Sequence, residues 1–149
     1  MLRLLLPLAL VGLALPAPAP LAADPVDTVH AQFPLCTSSP RVTCVVDGDT
    51  IWLSGTKIRI ADIDTPEVSR PGCAREAELG ALATQRMQAL LNRGAFSLAA
   101  APSGRDEDRF GRKLRVVTRD GESLGAMLVR DGLAHPWGGK RRGWCGEAV

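Results

Sequence analysis

Tyrosine is absent from this chain, and phenylalanine and tryptophan occur three times each. No binding site here can draw on a phenolic hydroxyl. Histidine occurs twice, at His30 and His135, and no pair of cysteines stands at C-x-x-C spacing. That combination argues against a zinc site, which needs four clustered nitrogen or sulfur ligands. No apolar run reaches the roughly 20 residues that a membrane-spanning helix requires. No repeat or low-complexity segment occurs beyond the first residues, so solenoid architectures are excluded. Charge of one sign is not in excess either: 18 Lys and Arg face 16 Asp and Glu. A near-neutral total leaves nucleic-acid binding open, because local distribution decides it.

At the start of the chain, Met1-Leu2-Arg3 precedes an apolar run from Leu4 to Leu15, and a Pro/Ala-rich stretch ends in Leu21-Ala22-Ala23. A charged start, a short apolar core and small residues near a cleavage point read as a secretory signal peptide over residues 1–23. We expect an exported protein, periplasmic or secreted, monomeric and without membrane association after cleavage. The remaining chain, about 125 residues, suffices for one compact domain. Its four cysteines, Cys36, Cys44, Cys73 and Cys145, form an even set. In an exported domain this suggests two disulfides, with three possible connectivities. We expect Cys36–Cys44, closing a short loop before the first strand, and Cys73–Cys145, tying a loop to the tail.

Residues 24–40 are punctuated by Pro, Ser and Thr and read as an irregular lead-in to a domain over 41–149. Val42–Val46, Thr50–Leu53 and Lys57–Ile63 are rich in Val and Ile and separated by Asp47-Gly48-Asp49 and Ser54-Gly55-Thr56. These are three short strands with tight turns. The period then changes: Leu79, Leu82, Ala83, Met87, Leu90 and Leu91 share one face of a helix over residues 74–93, with Gly94 as its stop. Phe96–Ala100 and Lys113–Thr118 read as two further strands, and Leu124–Arg130 as a second helix. The fold class is α+β, dominated by a small closed five-stranded OB-type β-barrel with two to three helices. An open α+β sheet shares this pattern.

Five acids, Asp47, Asp49, Asp62, Asp64 and Glu67, crowd the stretch "VVDGDTIWLSGTKIRIADIDTPE". Like charges on neighbouring strands repel, so the crowding needs compensation. Oxygen clusters of this kind suit a hard cation such as Ca²⁺. An EF-hand loop is excluded, because Ile51 stands at the third ligand position and no Glu closes the loop. Taken singly, Asp47 and Asp64 satisfy turn backbone, and Arg59 and Arg112 are surface ion-pair partners. In an unbroken strand Arg59 and Asp64 point to opposite faces, so a bulge or strong coiling must intervene if they share a site. Two arginines opposite a carboxylate cluster suit phosphoryl transfer, since guanidinium forks grip phosphate oxygens bidentately.

Asp49, Arg59, Asp64-Thr65-Pro66-Glu67 and Asp108-x-Phe-Gly-Arg112 occur in this order, followed by "LVRDGLA" at Leu128–Ala134. The ordered set resembles the staphylococcal-type nuclease (thermonuclease-like) family, over a stretch from about Val45 to Trp137. The resemblance implies an OB barrel that hydrolyses DNA and RNA with Ca²⁺ and leaves 3′-phosphates. It implies Ca²⁺ ligation by Asp49, Asp64 and the Thr65 backbone carbonyl, with Asp47 nearby. It implies catalytic roles for Arg59, Glu67 and Arg112. Phe110 falls where the family places a tyrosine, so it keeps an aromatic face for nucleotide stacking but offers no hydroxyl for a hydrogen bond. The alternative is a catalytically silent nucleic-acid-binding OB module. Such a module would have lost one of Arg59, Glu67 and Arg112, and all three are present.

Overall fold

The computed structural model describes residues 26–37, 39–139 and 143–146. The expected leader, and Lys140, Arg141 and Arg142 of the tail, lie outside the described residues. The elements run β1 (Cys44–Asp47), β2 (Thr50–Leu53), β3 (Thr56–Ile60), β4 (Ile63–Asp64), α1 (Ala74–Leu91), β5 (Ser97–Ala100), β6 (Lys113–Arg119), β7 (Glu122–Ser123), α2 (Leu124–Arg130) and β8 (His135–Pro136).

The main sheet has the order β1-β2-β3-β6-β5, with β7 paired to β6. All of its pairings are antiparallel except β3 with β6, which is parallel. Turn chemistry sets the hairpins. Ser54 and Gly55, at φ 50° and 78°, join β2 to β3; Asp120 and Gly121, at 51° and 77°, join β6 to β7. Two positive φ values in a two-residue loop match the right-handed twist of the flanking strands.

The expected third strand, Lys57–Ile63, does not run through. It stops at Ile60, the chain turns at Ala61 and Asp62, and β4 pairs instead with β8 in a separate two-stranded sheet. The expected barrel does not close either: among the described residues no ladder joins β1 to β5. The lead-in takes that place. Its Val29 exchanges two hydrogen bonds with Phe96, just before β5, and Cys36 and Pro34 bond to Val45 of β1. Phe33, between those bridges, is fully buried with its ring 5.8 Å from that of Phe96.

The core lies between the inner sheet face and α1. Ile51, Ile58, Ile60 and Val117 meet Ala83, Met87, Leu90 and Leu91, with Leu124 and Leu128 from α2. Each Ile, Leu, Val or Met among them, fully buried, stabilises by roughly 1.5–3 kcal/mol. Leu82 is 45 % exposed and sits off the buried face, where Gly80 and Thr84 stand instead. The helix also stops earlier than Gly94. Asn92 caps it, and its side chain is engaged by the lead-in, accepting from the Phe33 amide at 2.8 Å and donating to the Phe33 carbonyl at 3.0 Å. Both expected disulfides are formed, with Cα separations of 5.0 Å for Cys36–Cys44 and 5.7 Å for Cys73–Cys145. No helix among the described residues is long and apolar enough to cross a membrane.

Candidate active site

The β1–β2 turn carries Asp47 and Asp49. It is held against the exit of β4, because Asp49 Oδ2 accepts from the Thr65 amide at 3.0 Å and the Thr65 hydroxyl at 2.9 Å. Gly48 makes the approach possible: a Cβ there would stand 2.8 Å from Ala83 Cβ and 2.9 Å from Thr65 Cγ2. Asp49 Oδ1 accepts from the Thr50 hydroxyl, and the Asp49 amide donates to Asp47 Oδ1, both at 3.1 Å.

Arg59 lies across from Thr50 in the β2–β3 register. One Nη is 3.2 Å from Asp49 Oδ2 and 3.3 Å from Asp64 Oδ1. The other donates to the carbonyls of Ile60 and Ile63. Asp49 and Arg59 are each only 7 % exposed. Burying a charge is costly unless it is paired and hydrogen-bonded, and here both conditions are met. Asp47 is less well compensated. Burial, and then the charge of Asp49, push its carboxyl up to about 7.

Glu67 follows β4 and is exposed. Its Oε1 accepts from the Ser69 hydroxyl at 2.6 Å and the Ser69 amide at 2.8 Å. Those bonds, hydroxyl first, hold its carboxyl below the usual range. Residues 108–112 form a self-contained turn. Asp108 Oδ1 accepts from the amides of Phe110 and Arg112 at 2.9 and 3.0 Å, and Oδ2 accepts from Arg112 Nε at 2.7 Å. Burial raises the Asp108 carboxyl, but these bonds together outweigh it and leave the group below its ordinary value. Among the described residues the two Nη atoms of Arg112 make no hydrogen bond, so they can present a fork. Phe110 is 68 % exposed, with the Arg109 and Arg112 guanidinium centres 4.7 and 5.6 Å from its ring.

These groups, together with Arg105 and Arg109, line one open cleft of about 510 Å³. Every residue expected at the site, Asp47, Asp49, Arg59, Asp64, Thr65, Glu67, Phe110 and Arg112, borders it. Several other residues join them. Trp137 lines the same cleft, 57 % exposed, with the Arg59 guanidinium centre 5.2 Å from its ring. Asp108 orients Arg112, and its position before Phe-Gly is the only local signal of that role, a turn-opening Asp. Arg105 and Arg109 also border the cleft, and nothing in their spacing announced it.

Among the described residues no three His, Cys, Asp or Glu side chains gather into a metal-holding group. The expected ligand set asks for only two carboxylates, Asp49 and Asp64, with the Thr65 carbonyl. That set is oxygen-only: two carboxylates share the Arg59 guanidinium, and Asp47, which accepts from the Asp49 amide, stands beside them. Such a donor set fits a hard dication.

The sequence profile of the staphylococcal nuclease homologue family matches residues 57–141, more than half of the chain. The chain belongs to that family. It is 36 % identical over 93 residues to endonuclease YncB of Bacillus subtilis (strain 168), covering 60 % of this chain and 43 % of that protein. It is also 36 % identical over 93 residues to the SPbeta prophage-derived endonuclease YokF of the same organism, covering 60 % and 31 %. The match spans less than half the length of either relative.

Proposed function

We propose that this protein is an exported nuclease that hydrolyses phosphodiester bonds in DNA and RNA with Ca²⁺, leaving 3′-phosphates. The observation that carries the reading is the shared cleft. Asp49 and Asp64, joined through Arg59, line it with Glu67, and Arg112, held through its Nε, brings an uncommitted pair of Nη atoms to the same cleft. Family membership and the names of the two relatives point the same way.

Asp49, Asp64 and the Thr65 carbonyl would hold Ca²⁺, which when bound supplies positive charge beside a phosphate oxygen. Glu67, ionised at neutral pH, accepts a proton from the attacking water or orients it. Arg112 grips two phosphate oxygens as negative charge grows on them, a role that favours guanidinium over ammonium. Arg59 keeps the two aspartates in place from a buried position and brings its charge to the same cleft. Phe110 and Trp137 offer apolar faces on which bases stack.

Export is supported by the two disulfides, which persist in oxidising compartments. The test is direct. Purified protein is incubated with plasmid DNA and with RNA, in Ca²⁺ and in excess chelator, and the product ends are mapped. We expect both polymers to be cut in Ca²⁺ and neither in chelator. Tight binding with no cleavage under any divalent ion would instead identify the silent binding module.

A further inference from the structure

Glu67 leaves β4 through Pro66 and enters a short connection to α1. Its carboxylate is held by Ser69, which is itself exposed, so Ser69 alone does not fix the segment. Glu76, in the first turn of α1, reaches back to it. Oε2 accepts from the Gly72 amide at 2.7 Å, and Oε1 from the Glu67 amide at 3.3 Å. One carboxylate thus clasps both ends of the connection. A glutamate at this third helical position ordinarily returns to the amide of its own N-cap. Here the N-cap is Cys73, whose Sγ accepts from the Glu76 amide at 3.4 Å, and the returning half of the box is redirected to Gly72 and Glu67. Helix capping alone does not account for that redirection.

The second fastening comes from the tail. Cys73 is bonded to Cys145. The neighbouring Trp144 ring stacks on His135, with centroids 3.9 Å apart and planes 7° from parallel. His135 in turn pairs with Asp64 across β4 and β8. A ring of contacts therefore runs Asp64, His135, Trp144, Cys145, Cys73, Glu76, Glu67. It encloses the segment Asp64-Thr65-Pro66-Glu67 from both ends.

We infer that Glu76, backed by the Cys73–Cys145 disulfide, is a positioning residue that fixes Glu67 in the site. This rests on the nuclease reading, in which Glu67 meets the attacking water. A carboxylate on a surface connection would otherwise move, and about 1 Å of misplacement costs on the order of 10²-fold in rate.

The test uses the full oxidised chain in three variants: Glu76→Ala, Glu76→Gln and the double Cys73→Ser/Cys145→Ser. Serine keeps an N-cap oxygen, so the double variant loses only the tie to the tail. Two readouts are taken: amide hydrogen exchange over residues 66–73, and steady-state kinetics on DNA. In Glu76→Ala we expect faster exchange at 67–72 with α1 still protected, and kcat lower by about 10- to 100-fold with little change in KM. Glu76→Gln keeps one carbonyl acceptor and should fall between it and the native protein. The double variant should lower kcat in the same direction. A folded Glu76→Ala with native exchange and native kcat overturns the inference. So does a loss of kcat that comes only with exchange throughout α1, which marks a structural role. If the native protein cleaves nothing, the nuclease reading fails, and the exchange pattern alone decides whether Glu76 holds the segment.

Discussion

Arg59 and Asp64 meet at 3.3 Å although an unbroken strand would set them on opposite faces. The turn at Ala61 and Asp62 makes the meeting possible. By ending β3 early, it swings the Asp64 carboxylate round to the guanidinium that already holds Asp49 at 3.2 Å. One buried cation thereby compensates carboxylates from two separate elements. Crowded acids become tolerable.

Arg59→Ala should therefore destabilise the protein strongly in chelator. It leaves Asp49 buried without its partner, a loss of about 3–5 kcal/mol for a broken buried pair. Added Ca²⁺ should restore part of the loss, since a ligand that binds only the folded state stabilises it. Thermal melts of the native protein and the variant, with and without Ca²⁺, check both parts. A loss below about 1 kcal/mol would mean the pair behaves as a surface bridge.

Arg112 is held differently, through its Nε alone. Arg112→Ala should lower kcat by about 10²–10³-fold, with binding of an uncleaved oligonucleotide much less affected. Arg112→Lys should remain badly impaired, because an ammonium keeps the charge without the fork. Circular dichroism must show both variants folded. Near-native kcat in Arg112→Ala would remove this residue from the chemistry.

What could be read from the residues was mostly local. The turns Asp47-Gly48-Asp49 and Ser54-Gly55-Thr56, the Val and Ile runs around them and the periodicity of α2 all depend on neighbours a few positions apart. The strand break after Ile60 does so only in part. Ala61 and Asp62 are poor strand formers, a faint local sign, but the path of the chain after the break is read only from β8, far along the sequence, which pairs with β4. Phe33 was hidden for the same reason, since its burial needs Phe96, Gln88 and Asn92 from distant elements. In sequence Glu76 is an acid in the first turn of a helix, where acids are favoured. Only the fold shows its carboxylate turned back on Gly72 and Glu67.

The lead-in gives a pH prediction. Asp27 accepts from the Asp120 amide at 2.9 Å and the Ser97 hydroxyl at 2.8 Å, and these bonds, the amide first, hold its carboxyl below the ordinary range. A depressed folded-state pKa contributes stability above the unfolded value, and that contribution is lost as pH falls through the folded value. Asp27→Asn should therefore lower Tm relative to the native chain at neutral pH, and the gap should close in acid. A gap that is constant with pH would show that the charge on Asp27 plays no part in holding the lead-in.

Gly80 gives the last prediction. It stands inside α1, where glycine costs about 0.5–1 kcal/mol relative to alanine. A Cβ there would lie 3.0 Å from the Pro66 carbonyl oxygen and 3.2 Å from that of Glu67. Both neighbours are backbone, in a segment clasped by Glu76, so they cannot yield without moving Glu67. Overpacking of this kind costs about 1–3 kcal/mol, which exceeds the gain in helix propensity. Gly80→Ala should therefore lower Tm and reduce kcat on DNA together. Gly94→Ala is the control: nothing lies within 4 Å of its added Cβ, and it should leave both unchanged. If Gly80→Ala raises Tm with kcat intact, helix propensity has won, and the close approach of α1 to Pro66 and Glu67 is not what sets the position of Glu67.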